Sequence, residues 1–242
     1  MKIVIAGCGK IGRSIVLGKS YYRGIFDTYN DPAKFGLFYH AALITRRGDV
    51  KPAEKTVYQN IDVEQLYDPA FCVTEKLAAV EQSKLRYRFG GKTEGAFADV
   101  NGEVTSDTKE LYRNWEKGYG WIDSGKNKSV YGFIGDEKFD LTDVTIKAQN
   151  NYATIALSSL TDDDINHSGN ILLTAVGKAD NTGSVYDISH TVLQKEGTAP
   201  IMIEVIEAEI AIKTDRNNLK VWSVDNEGYF IGVMPAEYKD GV

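Results

Sequence analysis

At 242 residues the chain has room for one large domain or two smaller ones, and its net charge of −6 leaves no excess of Lys and Arg to replace the counterions of a nucleic acid. Nucleic acid is therefore not expected as a partner. Cys8 and Cys72 stand far apart with no CxxC pair or neighbouring histidine cluster, which indicates neither a disulfide framework nor a zinc site.

The opening "MKIVIAGCGKIG" runs from apolar Ile3–Ala6 into Gly7, Gly9 and Gly12, the spacing by which dinucleotide-binding folds bring backbone amides up to a pyrophosphate. "RSIVLGKSYYRG" suits a short helix that Gly18 weakens and Gly24 stops, and "GIFDT" suits a brief strand. The clearest helix follows, with Asp31 as N-cap, Pro32 at the first helical position and Arg46, Arg47 and Gly48 at the far end. Phe35, Phe38 and Ala42 are expected to form its apolar face. "KTVYQNI" reads as extended, and "VTEKLAAVEQSK" is the last segment with helical character.

Beyond it the pattern is β. "SVYGFIG", "DVTIKA", "YATIALSSL", "NILLTAVG", "PIMIEVIEAEIAI", "LKVWSVD" and "YFIGVMP" are rich in β-branched and aromatic residues and are separated by Gly, Asn and Asp clusters. "VWSVDNEGYFIGV" predicts a hairpin turning at Asp225–Gly228, with Gly228 suited to positive φ. No segment between these strands is long enough to be a crossover helix. The predicted class is mainly β, an antiparallel β-sandwich with a short α/β lead-in. The expected division is a lead-in over 1–54, a linker over 55–84 and the sandwich over 85–242.

The first sixteen residues resemble the start of the regulatory nucleotide-binding subunits of bacterial potassium-uptake systems, and that resemblance implies NAD on Gly7, Gly9 and Gly12. Asp27 or Asp31 lies roughly where a ribose partner belongs. The likeness fades at "LGKSYYRGIFDTYNDP", where the long amphipathic helix and second strand of such a domain are missing. The alternative is an ordinary tight turn after a buried strand.

A longer resemblance starts at Tyr22. "YRGIFDTYNDPAKFGLFYHAALITRRGDVKPAEKTV" resembles the barrel-closing segment of bacterial cellulase-like glycoside hydrolases of the retaining (β/α)8 clan. "SDTKELYRNWEKGYGWIDSGKNKSVYGFIG", "FDLTDVTI", "YATIALSSLTDDDINHSGNILLTAVGKADNTGSVYD" and "GTAPIMIEVIEAEIAI" follow the order of that group's carboxyl-terminal β-sandwich. The clan carries its two catalytic carboxylates on barrel strands, and the stretch before the β region is far shorter than the roughly 250 residues of a barrel. The resemblance thus implies a non-catalytic accessory domain, truncated from its barrel. Its implied partners are a glycoside hydrolase barrel or a polysaccharide, with self-association through orphaned apolar surface.

Other chemistry-bearing residues give weaker patterns. His40, His167 and His190 are widely separated and form no triad or metal spacing, and His40 is expected to pack or face solvent on the Pro32 helix. Asp162, Asp163 and Asp164 lack the ligand alternation of a calcium loop, and "RFGGKTEG" lacks the first glycine of a phosphate loop, so no metal site and a simple turn are expected. "YRNWEKGYGW" gathers Tyr112, Trp115, Tyr119 and Trp121. Of these, Trp115, Tyr119 and Trp121 are candidate carbohydrate contacts, with burial in the sandwich core as the alternative. No apolar run approaches a membrane span and the start lacks the pattern of a secretory signal, so a cytoplasmic chain is expected.

Overall fold

"ATIALSS" is buried at every position but Thr154, so both of its faces must be covered, and the elements that cover them define the fold. A computed structural model of the chain describes residues 2–5, 32–71, 81–96, 100–189, 192–225, 228–234, 236–239 and 241–242. Strand β1 (Lys2–Ile5) and helix α1 (Pro32–Arg47) come first. They are followed by β2 (Thr56–Ile61), β3 (Lys84–Phe89), β4 (Glu103–Thr105), β5 (Leu111–Asn114) and β6 (Tyr119–Asp123). The remaining strands are β7 (Asn127–Gly132), β8 (Lys138–Asp140), β9 (Val144–Ala148), β10 (Ala153–Ser159), β11 (Asn170–Val176) and β12 (Ala179–Thr182), then β13 (Val185–Tyr186), β14 (Leu193–Lys195), β15 (Thr198–Ile203), β16 (Ala208–Ile212), β17 (Lys220–Val224) and β18 (Phe230–Met234). The fold is mainly β and mostly antiparallel, a β-sandwich-like arrangement with a short helical lead-in, as its patterning predicts.

Residues Met1–Asp49 and Ser124–Val242 make one compact unit and Val50–Asp123 the other. This division cuts across the boundaries expected at 54/55 and 84/85, because β1 pairs with strands from the far end of the chain. In the first unit the main sheet runs β18-β17-β1-β11-β10-β7. β1 lies parallel to both β11 and β17, while β10 is antiparallel to β7 and β11. A smaller sheet, β16-β9-β8, is antiparallel throughout. The predicted hairpin is present as β17 and β18, closed by the Asp225–Tyr229 and Gly228–Asp225 backbone bonds with Gly228 at φ +86°. In the second unit β4, β5 and β6 form an antiparallel meander, and β2 pairs with β3 in parallel across a connection that contains a 3-10 turn at Val63–Tyr67.

The register separates the two faces of the main sheet. Val130, Ile155, Leu157, Ile171 and Leu173 share one face and are all nearly inaccessible. On β9, Val144, Ile146 and Ala148 are buried while Thr145 and Lys147 are not, so the smaller sheet also turns an apolar side inward. The opposite face of the main sheet carries Asn127, Ser129, Ala156, Ser158, Leu172 and Thr174, and α1 covers it.

α1 ends as expected, with Arg46 and Arg47 in its last turn and Gly48 at φ +66°. Asp31 lies outside the described residues. The apolar face expected from Phe35, Phe38 and Ala42 is corrected: Phe38 and Ala42 are exposed. The side turned to the sheet is Gly36, His40, Leu43, Ile44 and Arg47, spaced at the period of a helix face. Gly36 makes this approach possible, since a Cβ there would stand 3.0 Å from Val176 Cγ1. Among the described residues no helix is long and apolar enough to cross a membrane.

Candidate functional site

The polar turn "SDTKEL" folds β4 back onto β5 through the Ser106–Leu111 and Lys109–Ser106 backbone bonds, with Lys109 at φ +61°. A second turn, closed by Gly118 N–H to Asn114 O and Lys117 N–H to Asn114 Oδ1, folds β5 onto β6. The resulting register places Glu103, Thr105, Tyr112, Asn114, Tyr119 and Trp121 on one face of the meander. Period-two alternation alone requires this grouping once the two turns set the pairing.

Tyr112 and Trp121 are directly opposite and stack with centroids 5.1 Å apart and planes 12° from parallel. Tyr119 tilts against Tyr112 at 6.2 Å, and Lys117 Nζ lies 5.6 Å from the Tyr119 ring centroid. The Tyr112 hydroxyl donates to Glu103 Oε2 and accepts from Asn114 Nδ2 at 3.3 Å. Partial burial and the bond to the Glu103 carboxylate push the Tyr112 phenol up to about 12. Tyr112, Tyr119 and Trp121 are only half-buried, so ring surface and a carboxylate stand together at the protein surface. Such a surface suits a ligand with alternating C–H and hydroxyl faces. Trp115 begins the turn after β5, beyond the stacked row, with its backbone N–H bonded to Gly102 O.

A second constellation lies in the other unit, beneath α1, with little local pattern to announce it. His40 is 4 % exposed, with Nδ1 2.7 Å from Ser158 Oγ and Nε2 2.9 Å from Thr174 Oγ1. Ser158 Oγ donates to Asn127 Oδ1 at 2.5 Å, and Asn127 Nδ2 donates to Asp49 Oδ2 at 2.6 Å. Arg47 completes the chain, donating through Nε and an Nη to Asp49 and through the other Nη to the carbonyls of Ser159 and Thr161.

The directions in this relay follow from its charged end. A carboxylate only accepts, so Asn127 presents its amide N–H to Asp49 and its oxygen to Ser158. The Ser158 proton is then committed to Asn127, and Ser158 accepts from His40 Nδ1–H. Thr174 donates to the remaining lone pair on Nε2. Burial pushes the imidazole down to about 4, so the neutral ring is the form these partners satisfy.

A His–Ser pair invites comparison with an activated nucleophile, yet Ser158 is fully buried and has already given its proton to Asn127. The relay is a packing device. His40 is therefore the packing residue of the two expected alternatives, and Asn127, Ser158 and Thr174 are what sequence reasoning missed. The available signal was hydroxyls at alternate positions inside strands that are otherwise apolar.

The other predicted residues are dispersed. Gly7, Gly9 and Gly12, with Asp27, Cys8, Cys72 and His190, lie outside the described residues. His167 is exposed and pairs with Asp215 at 3.0 Å. Asp162 faces Lys126 Nζ at 4.0 Å, Asp163 N–H bonds Thr161, and Asp164 packs over Gly125. The two glycines of "RFGG" form the bend after β3, with Gly90 at φ +71° and Gly91 N–H bonded to Asn60 Oδ1. Among the described residues no group of three or more His, Cys, Asp and Glu is arranged to hold a metal ion. Comparison with protein-family models, curated proteins and solved structures finds no match to this chain.

Proposed function

We propose that the chain is a non-catalytic accessory module that contacts carbohydrate through Tyr112, Tyr119 and Trp121. The observation that supports this is the half-exposed ring row on one face of the β4–β5–β6 meander, with Glu103 and Asn114 beside it as hydrogen-bonding groups. The order of the sequence blocks that resemble a glycoside hydrolase sandwich points the same way. Affinity electrophoresis through gels containing a panel of polysaccharides tests it. Retention on at least one glycan is expected, reduced at least tenfold by Trp121→Ala and Tyr119→Ala, with Trp115→Ala having a smaller effect. Wild-type migration unaltered by every glycan overturns the reading.

The same reading takes a barrel-bearing chain or a second copy as a further partner. β18 supports this: it is the edge of its sheet, and each of its residues, Phe230–Met234, is exposed. Sedimentation at rising concentration checks for the second copy, and a monomer throughout removes that part.

One observation favours a second reading, an NAD-binding regulatory module. β1 lies between two parallel neighbours, and Gly7, Gly9 and Gly12 follow its carboxyl end in the sequence. Against it, β1 is not joined through α1 to either neighbour; the next described strand, β2, pairs with β3. Calorimetric titration with NAD and NADH separates the two: saturable binding abolished by Gly9→Ala replaces the first reading with the second.

A further inference from the structure

We propose that the seam between α1 and the main sheet is a proton-sensitive latch, in which protonation of His40 breaks the hydroxyl relay and releases α1 from the face formed by β7, β10 and β11. The relay leaves the ring one acceptor site, Nε2, and Thr174 fills it with a donated hydrogen bond. A proton at Nε2 turns that contact into two donors facing each other, and Thr174 must rotate away. At Nδ1 nothing relieves the new charge, because the Ser158 proton is already held by Asn127.

Among the described residues, the charge has no counter-ion in contact; the ring's hydrogen-bond partners are Ser158 and Thr174. The charged groups described on this face are Arg47 of α1 and Asp49 just beyond it. Asp49 is 1 % exposed, is held by Arg47 and Asn127, and is separated from His40 by two neutral side chains. The strands present Asn127 and Ser129 from β7, Ala156 and Ser158 from β10, and Leu172 and Thr174 from β11. Among the described residues, Tyr131 lies on the same face of β7. An imidazolium here is thus 4 % exposed, beside hydroxyls and an amide, with the Asp49–Arg47 pair beyond them.

The sign follows from linkage. Released, the imidazole has its ordinary value near 6.5; docked, burial holds it near 4. Between those values the released state binds the proton and the docked state does not, so docking weakens as pH falls. Each pH unit lowers the docking equilibrium up to tenfold, and the whole interval lowers it about 300-fold. Below about 4 both states are protonated and the dependence ends.

Hydrogen exchange of the full chain, read on residues 36–47 and corrected for the intrinsic pH dependence of exchange, tests the latch at pH 7, 6, 5 and 4.5. Protection of α1 is expected to fall by one to two orders of magnitude relative to β10 and β11, and His40→Gln, which cannot titrate, is expected to remove that dependence. Equal pH dependence in the two proteins, or undiminished α1 protection at pH 4.5, overturns the proposal. Should His40→Gln fail to fold, the wild-type imidazole is followed by NMR, assigned by subtraction with His167→Gln and His190→Gln. A His40 that titrates near 6.5 while α1 stays protected overturns the latch; titration well below 6.5, coincident with loss of α1 protection, supports it.

Discussion

The two faces of one sheet are buried by different chemistry. Toward the smaller sheet, Val130, Ile155, Leu157, Ile171 and Leu173 exclude water with side chains that need only volume, around a buried cation, Lys128, 3.6 Å from Asp143. Toward α1, Asn127, Ser158 and Thr174 sit among Ala156 and Leu172 and must each find a hydrogen-bonding partner. Apolar burial stabilises any arrangement that keeps the volume filled, whereas a directed relay is satisfied by one position of His40 and one rotamer of each partner. The apolar face supplies stability and the polar face supplies placement. Carrying placement on a histidine adds a dependence on pH in the mildly acid range.

Truncating the apolar face is the most damaging way to test this contrast. Ile155→Ala is expected to cost about 2–5 kcal/mol in urea unfolding, because the residue is wholly buried and its strand is held on both sides. A loss under about 1 kcal/mol would mean that the two sheets do not form a packed core.

Acidification is next in size and acts on the other face. The folded imidazole is depressed to about 4 from 6.5, so the unfolded chain takes up the proton first, and the stability contribution is complete above about 6.5 and lost toward 4. Its full extent is about 3 kcal/mol at most. Urea midpoints measured between pH 7 and 4 are expected to fall more steeply for wild type than for His40→Gln.

Ser158→Ala strands the His40 Nδ1 donor and the Asn127 oxygen, for a cost of about 1–3 kcal/mol. A double-mutant cycle with His40→Gln sharpens the point: additive losses would show that the relay does not act as a unit. Tyr112→Phe, in the other unit, has the smallest expected effect, below about 1 kcal/mol, since the Tyr112–Glu103 bond is solvent-accessible. Its thermal midpoint should barely move, which separates a surface row from a core.

Much of this was legible in the residues. The hairpin at Asp225–Gly228, the strands β9, β10, β11, β17 and β18, the α1 boundaries and the turn at Gly90 were all predicted from alternation and turn chemistry. Of the aromatic candidates, Tyr119 and Trp121 share a face with Tyr112, because two short turns fix that register locally. The helix face was misread for the opposite reason. Phe38 and Ala42 looked like the inward side by hydrophobicity, but the side that docks is chosen by Gly36 at its closest approach and by the partners of His40.

Alternation of β-branched residues and the spacing of Gly, Asn and Asp determined by themselves that this chain is built of short antiparallel strands, since both act within a few residues. Tertiary structure decided that β1 would lie parallel between β11 and β17, and that His40 would meet Ser158 and Thr174 across 118 and 134 residues of chain. No local pattern encodes such meetings. They exist because a buried polar group must be paired, and only the closed fold determines which distant hydroxyl is near enough to pair with it.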